Sequence, residues 1–373
     1  MSVLDLFLEL AAIASPPGSE RPVADQVVSY LRAAGLEVDE DDAGARIGAS
    51  AGNLFCRLPA TNGGGTPIFL CAHLDTVPPD GAIEPVVVDG VVRNAAGTIL
   101  GADNKAAVAA MLVAASRIAG EGRAHAGVEL VFTPMEEVGL LGANAFDHGR
   151  LQADVGFVFD HAAPIGHVVL GAPTARTIDV RFHGRAAHSG IAPEEGRSAI
   201  VAAARAISDL RLGRIDEETT ANVGLIEGGS ARNIIPEWCG FQAEARSHDE
   251  RKLGDVVQEL LDTVTFAAGV AECEVSASVV GSYRGYRLNR DDVPVRLACE
   301  ALARSGFEPQ LGLAGGGADA NAFNERGRAC LNLANGMTAI HTADENIAVE
   351  DLERMVDVTL ALVDVAREAT DAA

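Results

Sequence analysis

The chain has 373 residues, 48% of them apolar and 22% charged, close to the globular norm of about 45–50% and about 25%. That excludes a small toxin, a disordered chain and a multi-span membrane protein, and at roughly 150 residues per domain it predicts two domains or one with an insertion. The 29 basic and 53 acidic residues leave a net charge of −24, the wrong sign for a partner that must release phosphate counterions, so nucleic acid and anionic membrane are not expected partners.

Residues 3–14 and 21–34 repeat apolar groups at three and four, which predicts two helices separated by Ser15-Pro16-Pro17-Gly18-Ser19. The first stretch carries Asp5 and Glu9 and no basic leader. It therefore reads as an amphipathic helix of a cytoplasmic protein, not a signal peptide. Asn53–Leu58 and Ile68–Ala72 are short apolar runs suited to buried strands, flanked by the turn-rich TNGGGT and VPPDG. A helix is predicted at 104–119, a strand at Val128–Thr133, a helical stretch near 140–148 and a strand at Val155–Asp160. This alternation predicts an α/β fold with a mainly parallel sheet.

Near residue 174 the pattern changes. Thr177–His183, Asn222–Glu227 and Phe241–Ser247 read as strands and 195–210 and 250–267 as helices, which suits two helices over a small antiparallel sheet. After Tyr286 the alternation resumes, with a helix at 291–305, a strand at 330–334, a helix at 349–368 and a short tail. The middle segment thus reads as an insertion, giving one domain of residues 1–173 with 285–373 and a second of residues 174–284. Six cysteines lie far apart without any CxxC, which predicts buried thiols and neither a thiolate zinc site nor a disulfide framework.

Several polar residues fall where open α/β sheets place their sites, just past the ends of apolar strands. His73 and Asp75 in FLCAHLDTVP share one side of an extended segment, and a carboxylate fixing the second ring nitrogen is a common support for a metal-ligating histidine. HxD alone also suits a surface loop. Asp103 in LGADNKAA is a metal-ligand candidate, yet a helix N-cap would explain it fully, and Lys105 reads as solvated. Glu136 and Glu137 in VFTPMEEVG are either solvated surface or a general base beside a metal ligand. Asp160 ends the apolar VGFVFD, with His161 as a competing ligand, and His341 lies in NGMTAIHTADENI. The order HxD, D, EE, D, H offers oxygen and imidazole donors without thiolate, which suits zinc, manganese or cobalt in a two-metal centre.

In this set and order the chain resembles the M20 family of metallopeptidases, most closely its tripeptidase (peptidase T)-like branch. The resemblance runs through AHLDTVP, GADNKAA, EEVGLLGA, GRAAHSGIAPEEGRSAI, ARNIIP, GGGADANAF and HTADENI. It implies a zinc-exopeptidase-like catalytic domain with two Zn²⁺ per subunit, Co²⁺ or Mn²⁺ being possible, and an inserted α+β lid that dimerises. It further implies that His73 and Asp160 hold one metal, Glu137 and His341 the other, and that Asp103 bridges them. Asp75 would orient His73 and Glu136 would be the general base. In the lid, His188 would reach the substrate carbonyl, Asn233 and Arg246 would contact substrate, and Gly316 and Gly317 would line the pocket. The implied reaction is hydrolysis of short peptides by a homodimeric aminotripeptidase; the alternatives are a dipeptidase, a carboxypeptidase or an N-acyl-amino-acid amidohydrolase of the same family. Asn104, Ala107 and Ala318 depart from residues frequent in the branch, which are aspartate, glycine and serine or threonine respectively.

Overall fold

The computed structural model describes residues 1–61 and 64–369; Asn62 and Gly63 of the expected TNGGGT turn and the expected tail from Thr370 lie outside the described residues. The chain divides into two units. One comprises Met1–Ala172, Arg287–Ala314 and Ala318–Ala373, and the other comprises Pro173–Tyr286 with Gly315–Gly317.

The first unit is built on an eight-stranded sheet. In chain order its strands are β1 (Val38–Glu40), β2 (Leu54–Leu58), β3 (Ile68–His73), β4 (Val128–Thr133), β5 (Val155–His161), β6 (His167–Val169), β7 (Gln310–Gly312) and β8 (Ala329–Ala334). They lie side by side as β1-β2-β4-β3-β5-β8-β6-β7. The central four are mutually parallel, so their C-terminal ends share one edge of the sheet. The flanks add antiparallel pairings at β1–β2, β2–β4 and β8–β6, which makes the sheet mixed. Every residue of β3 and β4 is buried, as expected for strands covered on both faces.

The longer helices of this unit are α1 (Val3–Ala11), α2 (Arg21–Ala33), α3 (Ala102–Glu121), α4 (Val293–Arg304), α5 (Asp319–Glu325) and α6 (Val349–Glu368), with short helices at Ala43–Ile47 and Leu141–Ala145. The first is capped by Ser2 in a capping box and buries Val3, Leu6, Phe7 and Leu10. It ends at Ala11, short of the expected residue 14, and Ser15 beyond it donates to the carbonyl of Leu74, just past β3, at 2.9 Å. Phe69 of β3 packs on Phe323 of α5 with ring centroids 4.7 Å apart, a contact worth about 1 kcal/mol beyond its area. A small antiparallel sheet joins Pro85–Val88, Val91–Asn94 and Asn346–Ala348. Its strands are too short and too exposed to show a hydrophobic period, yet they anchor the segment that follows His341.

The second unit is a five-stranded antiparallel sheet of Gly213–Arg214, Thr219–Gly228, Trp238–Ser247, Thr174–His183 and Glu274–Tyr283, in that lateral order. Alternation along Thr174–His183 puts Ile178, Val180 and Phe182 into a core with helices Ala199–Asp209 and Glu250–Ala271. Alanines 202, 203 and 206 of the first helix let it sit close to that core. The Glu274–Tyr283 edge strand, largely exposed, was not expected from the sequence, although Val275, Ala277 and Val279 alternate with Glu274, Ser276 and Ser278.

Candidate metal centre

The parallel strand ends bring His73, Asp103, Glu136, Glu137, Asp160 and His341 together in the first unit. His73 closes β3 and pairs in register with Thr133 at the end of β4, so the loop after β4 places Glu136 and Glu137 next to it. Asp160 comes from the end of β5. Among the described residues, ligand atoms of His73, Glu136 and Asp160 lie within 4.8 Å of one another, and so do those of His73, Asp103 and Glu137. His161 belongs to neither group.

Asp103 stands between the two imidazoles. Its Oδ1 is 3.2 Å from His73 Nε2, and its Oδ2 is 3.3 Å from His341 Nε2. His73 Nε2 also lies 3.7 Å from Asp160 Oδ1, and His341 Nε2 lies 3.2 Å from Glu137 Oε2. Asp103 and Asn104 have non-helical backbone angles at the kinked start of α3, and the Asp103 carboxylate is turned to His73 and His341. The peptide between Asp103 and Asn104 is cis.

Asp75 does something the HxD spacing did not suggest. His73 Nδ1 is 2.8 Å from the main-chain carbonyl of Asp75 and 3.5 Å from its carboxylate. The carboxylate itself accepts from the backbone N–H groups of Glu136 and Glu137 at 3.0 and 3.1 Å. One buried side chain thereby fixes the two successive peptides that carry both glutamates. Gly142 is needed in the same loop, since a Cβ there would fall 2.1 Å from the Pro134 carbonyl oxygen.

Charge is concentrated here, and apart from half-exposed His341 these side chains are largely buried. Burial disfavours the His73 imidazolium, but Asp103, Asp160 and Asp75 outweigh it and hold its pKa well above the ordinary value. The carboxylates of Asp103 and Glu137 lift His341 to about 10. Burial, then the neighbouring Asp103, pushes Asp160 up to about 8. Burial likewise raises Glu136 well above the carboxylate range. Glu137 Oε1 is buried with no hydrogen-bond partner among the described residues. Two imidazoles, several carboxylates and an orphaned buried oxygen fit a pair of divalent cations, which would replace the protons that otherwise hold these charges together.

Two supports went unrecognised in the sequence. Glu345, four residues after His341, is 2% exposed. It accepts from the backbone N–H groups of Leu100, Gly101 and Asp103 at 2.8, 2.9 and 3.0 Å; its place in HTADENI was the available signal. Lys105, expected in solvent, is fully buried, donates to the Ile13 carbonyl and is drawn down by burial to about 7.

In the second unit the loops of His188 and Asn233 lie together, with Ser189 N–H donating to the Asn233 carbonyl at 3.0 Å, and both residues are exposed. Arg246 and Gly316–Gly317 form another group. Arg246 Nη2 donates to Glu244 at 2.9 Å, while its Nε is buried with no hydrogen-bond partner among the described residues. Gly317 N–H donates to the Tyr283 hydroxyl at 3.0 Å, and a Cβ at Gly317 would fall 2.6 Å from the Tyr283 ring.

Residues 171–270 match the model of a peptidase dimerisation domain (M20_dimer), and residues 53–169 match that of peptidase family M28. The aminopeptidase PepT of Bacillus cereus is 37% identical, with a TM-score of 0.86 over 98% of both chains. A tripeptidase of Staphylococcus aureus is 35% identical, with a TM-score of 0.91 over 98% of both chains. The uncharacterized protein YqjE of Bacillus subtilis is 37% identical over 366 residues, 97% of each chain. The M28 match covers only part of the first unit and the dimerisation module falls on the second, whereas these relatives match along nearly the whole chain. The chain therefore belongs to the M20 family of metallopeptidases, a family of hydrolases. Within it, the chain falls on the peptidase T-like, tripeptidase-like branch.

Proposed function

We propose that this protein is a two-metal aminotripeptidase that hydrolyses short peptides. The observation that carries the reading is Asp103, whose two carboxylate oxygens face different imidazoles at 3.2 and 3.3 Å, as a bridging ligand must. His73 and Asp160 would hold one cation and Glu137 and His341 the other, with zinc, cobalt or manganese suited to this donor set. Such cations supply Lewis acidity, which lowers the pKa of a water and polarises an amide carbonyl.

The remaining work falls to the chain. Glu136, half-buried and with raised proton affinity, takes the proton of the attacking water and hands it to the leaving amine. Asp75 keeps Glu136 aimed through the backbone N–H that it holds. His188 donates to the oxyanion, Asn233 contacts the substrate, Arg246 pairs with its terminal carboxylate, and Gly316–Gly317 line the pocket. The dimerisation module supports a homodimer, in which His188 would serve the neighbouring subunit's site. Six unpaired thiols support a reducing, cytoplasmic location. Among the described residues, no helix is long and apolar enough to cross a membrane.

The test is metal content per chain, paired with hydrolysis of a tripeptide panel and of N-acetyl amino acids before and after chelation. About two metals per chain and metal-restored tripeptide cleavage are expected, with Glu136→Gln lowering kcat by roughly 10²–10⁴. Activity confined to N-acetyl amino acids would overturn the peptidase reading, and an active Glu136→Gln enzyme would overturn the mechanism.

A further inference from the structure

Asp160 is tied down from two elements. Its main chain is clamped by Asn332 of β8, whose Oδ1 accepts from Asp160 N–H at 2.9 Å and whose Nδ2 donates to the Asp160 carbonyl at 3.0 Å. Its carboxylate is met by Asn104, which is fully buried at the start of α3. Asn104 Nδ2 donates to Asp160 Oδ1 at 2.7 Å and to the Phe159 carbonyl at 2.9 Å. That second bond fixes the orientation of the amide: a carbonyl can only accept, so the nitrogen of Asn104, not its oxygen, faces Asp160. Asn104 Oδ1, turned away from that contact, is buried without a hydrogen-bond partner among the described residues. Asn335 donates to the same Phe159 carbonyl at 2.9 Å, so the peptide before Asp160 is held as firmly as Asp160 itself.

An amide donor placed on one oxygen of a buried carboxylate stops its rotation and favours the ionised form that a cation requires. An aspartate at 104 would instead set lone pairs against both the Asp160 carboxylate and the Phe159 carbonyl. Among the described residues no amide donor meets the Glu137 carboxylate, whose Oε2 faces His341 and whose Oε1 has no hydrogen-bond partner. The two halves of the centre are therefore unequally supported by the protein.

We propose that Asn104 is a positioning residue that acts through Asp160 and sets the affinity of the metal position formed by His73 and Asp160, leaving the position of Glu137 and His341 nearly unchanged. This rests on the two-metal reading above. The experiment titrates metal-free protein with Zn²⁺ against a chromogenic chelator, for the parent, Asn104→Ala, Asn104→Leu, Asp160→Ala and the double variant Asn104→Ala/Asp160→Ala. Circular dichroism checks the fold, and the leucine variant fills the volume if the alanine variant does not fold.

The parent should bind two ions, and removing the amide should weaken one step by about 10–100-fold while leaving the other within a few-fold. In the Asp160→Ala background the Asn104 substitution should add nothing, because coupled residues are not additive. Equal weakening of both steps, unchanged affinities in a folded Asn104 variant, or a further loss in the Asp160→Ala background would each overturn the inference. A parent protein that binds no zinc would instead overturn the two-metal reading on which it stands.

Discussion

Individual side chains in this protein are legible by type and not by partner. His73, Asp103, Glu137, Asp160 and His341 stand out because each is a metal-ligand type at the end of an apolar run or inside a motif. Asn104, Lys105 and Glu345 do not, because their roles depend on contacts 55, 92 and 242 positions away. Asp319 is a similar case, and it makes a pH prediction. It opens α5, accepts from the Thr133 hydroxyl, lies 3.6 Å from Cys71 Sγ, and keeps Oδ1 buried with no hydrogen-bond partner among the described residues. Burial pushes its pKa up from 3.8 to about 6. A carboxyl whose folded pKa is raised contributes stability that is fully present below its unfolded pKa and lost as pH rises through the folded one. The parent should therefore lose stability relative to Asp319→Asn between about pH 4 and pH 6. Melting curves of the two proteins that run parallel across that window would contradict the assignment.

At the scale of elements, the long buried strands and helices follow from composition. Ile68–His73 is apolar until its last residue, and the closing helix runs over Val349–Glu368 as its period of three and four predicts. The short pieces do not. β1, β6 and β7 have three residues each, too few to display a period, and their pairing with distant strands decides their conformation. Loops are intermediate, and the one after β4 is the most consequential. Gly142 lets the Leu141–Ala145 helix approach the Pro134 carbonyl, two residues before Glu136. Gly142→Ala should force that loop apart, at a cost of about 1–3 kcal/mol in stability, and lower kcat more than it raises KM because Glu136 moves. A variant with parental stability and kcat would show that the close approach is dispensable.

The whole molecule combines an acidic candidate metal centre with a net charge of −24. The carboxylates and imidazoles gathered by three strand ends and two loops repel or hold protons when no cation shares them. Metal should therefore be part of the stability of the protein. With free zinc at about a hundred times its dissociation constant, linkage gives roughly 2.7 kcal/mol per site. Chelation should lower Tm by several degrees and zinc should restore it; a Tm indifferent to verified metal loss would contradict this. The three N–H bonds that Glu345 accepts from Leu100, Gly101 and Asp103 have a further consequence, for the order of events during synthesis. The loop carrying Asp103 leaves the ribosome long before the residue that shapes it, and so does everything else in the centre except His341. A nascent chain thus carries an unfinished centre until the motif that holds His341 and Glu345 has been made.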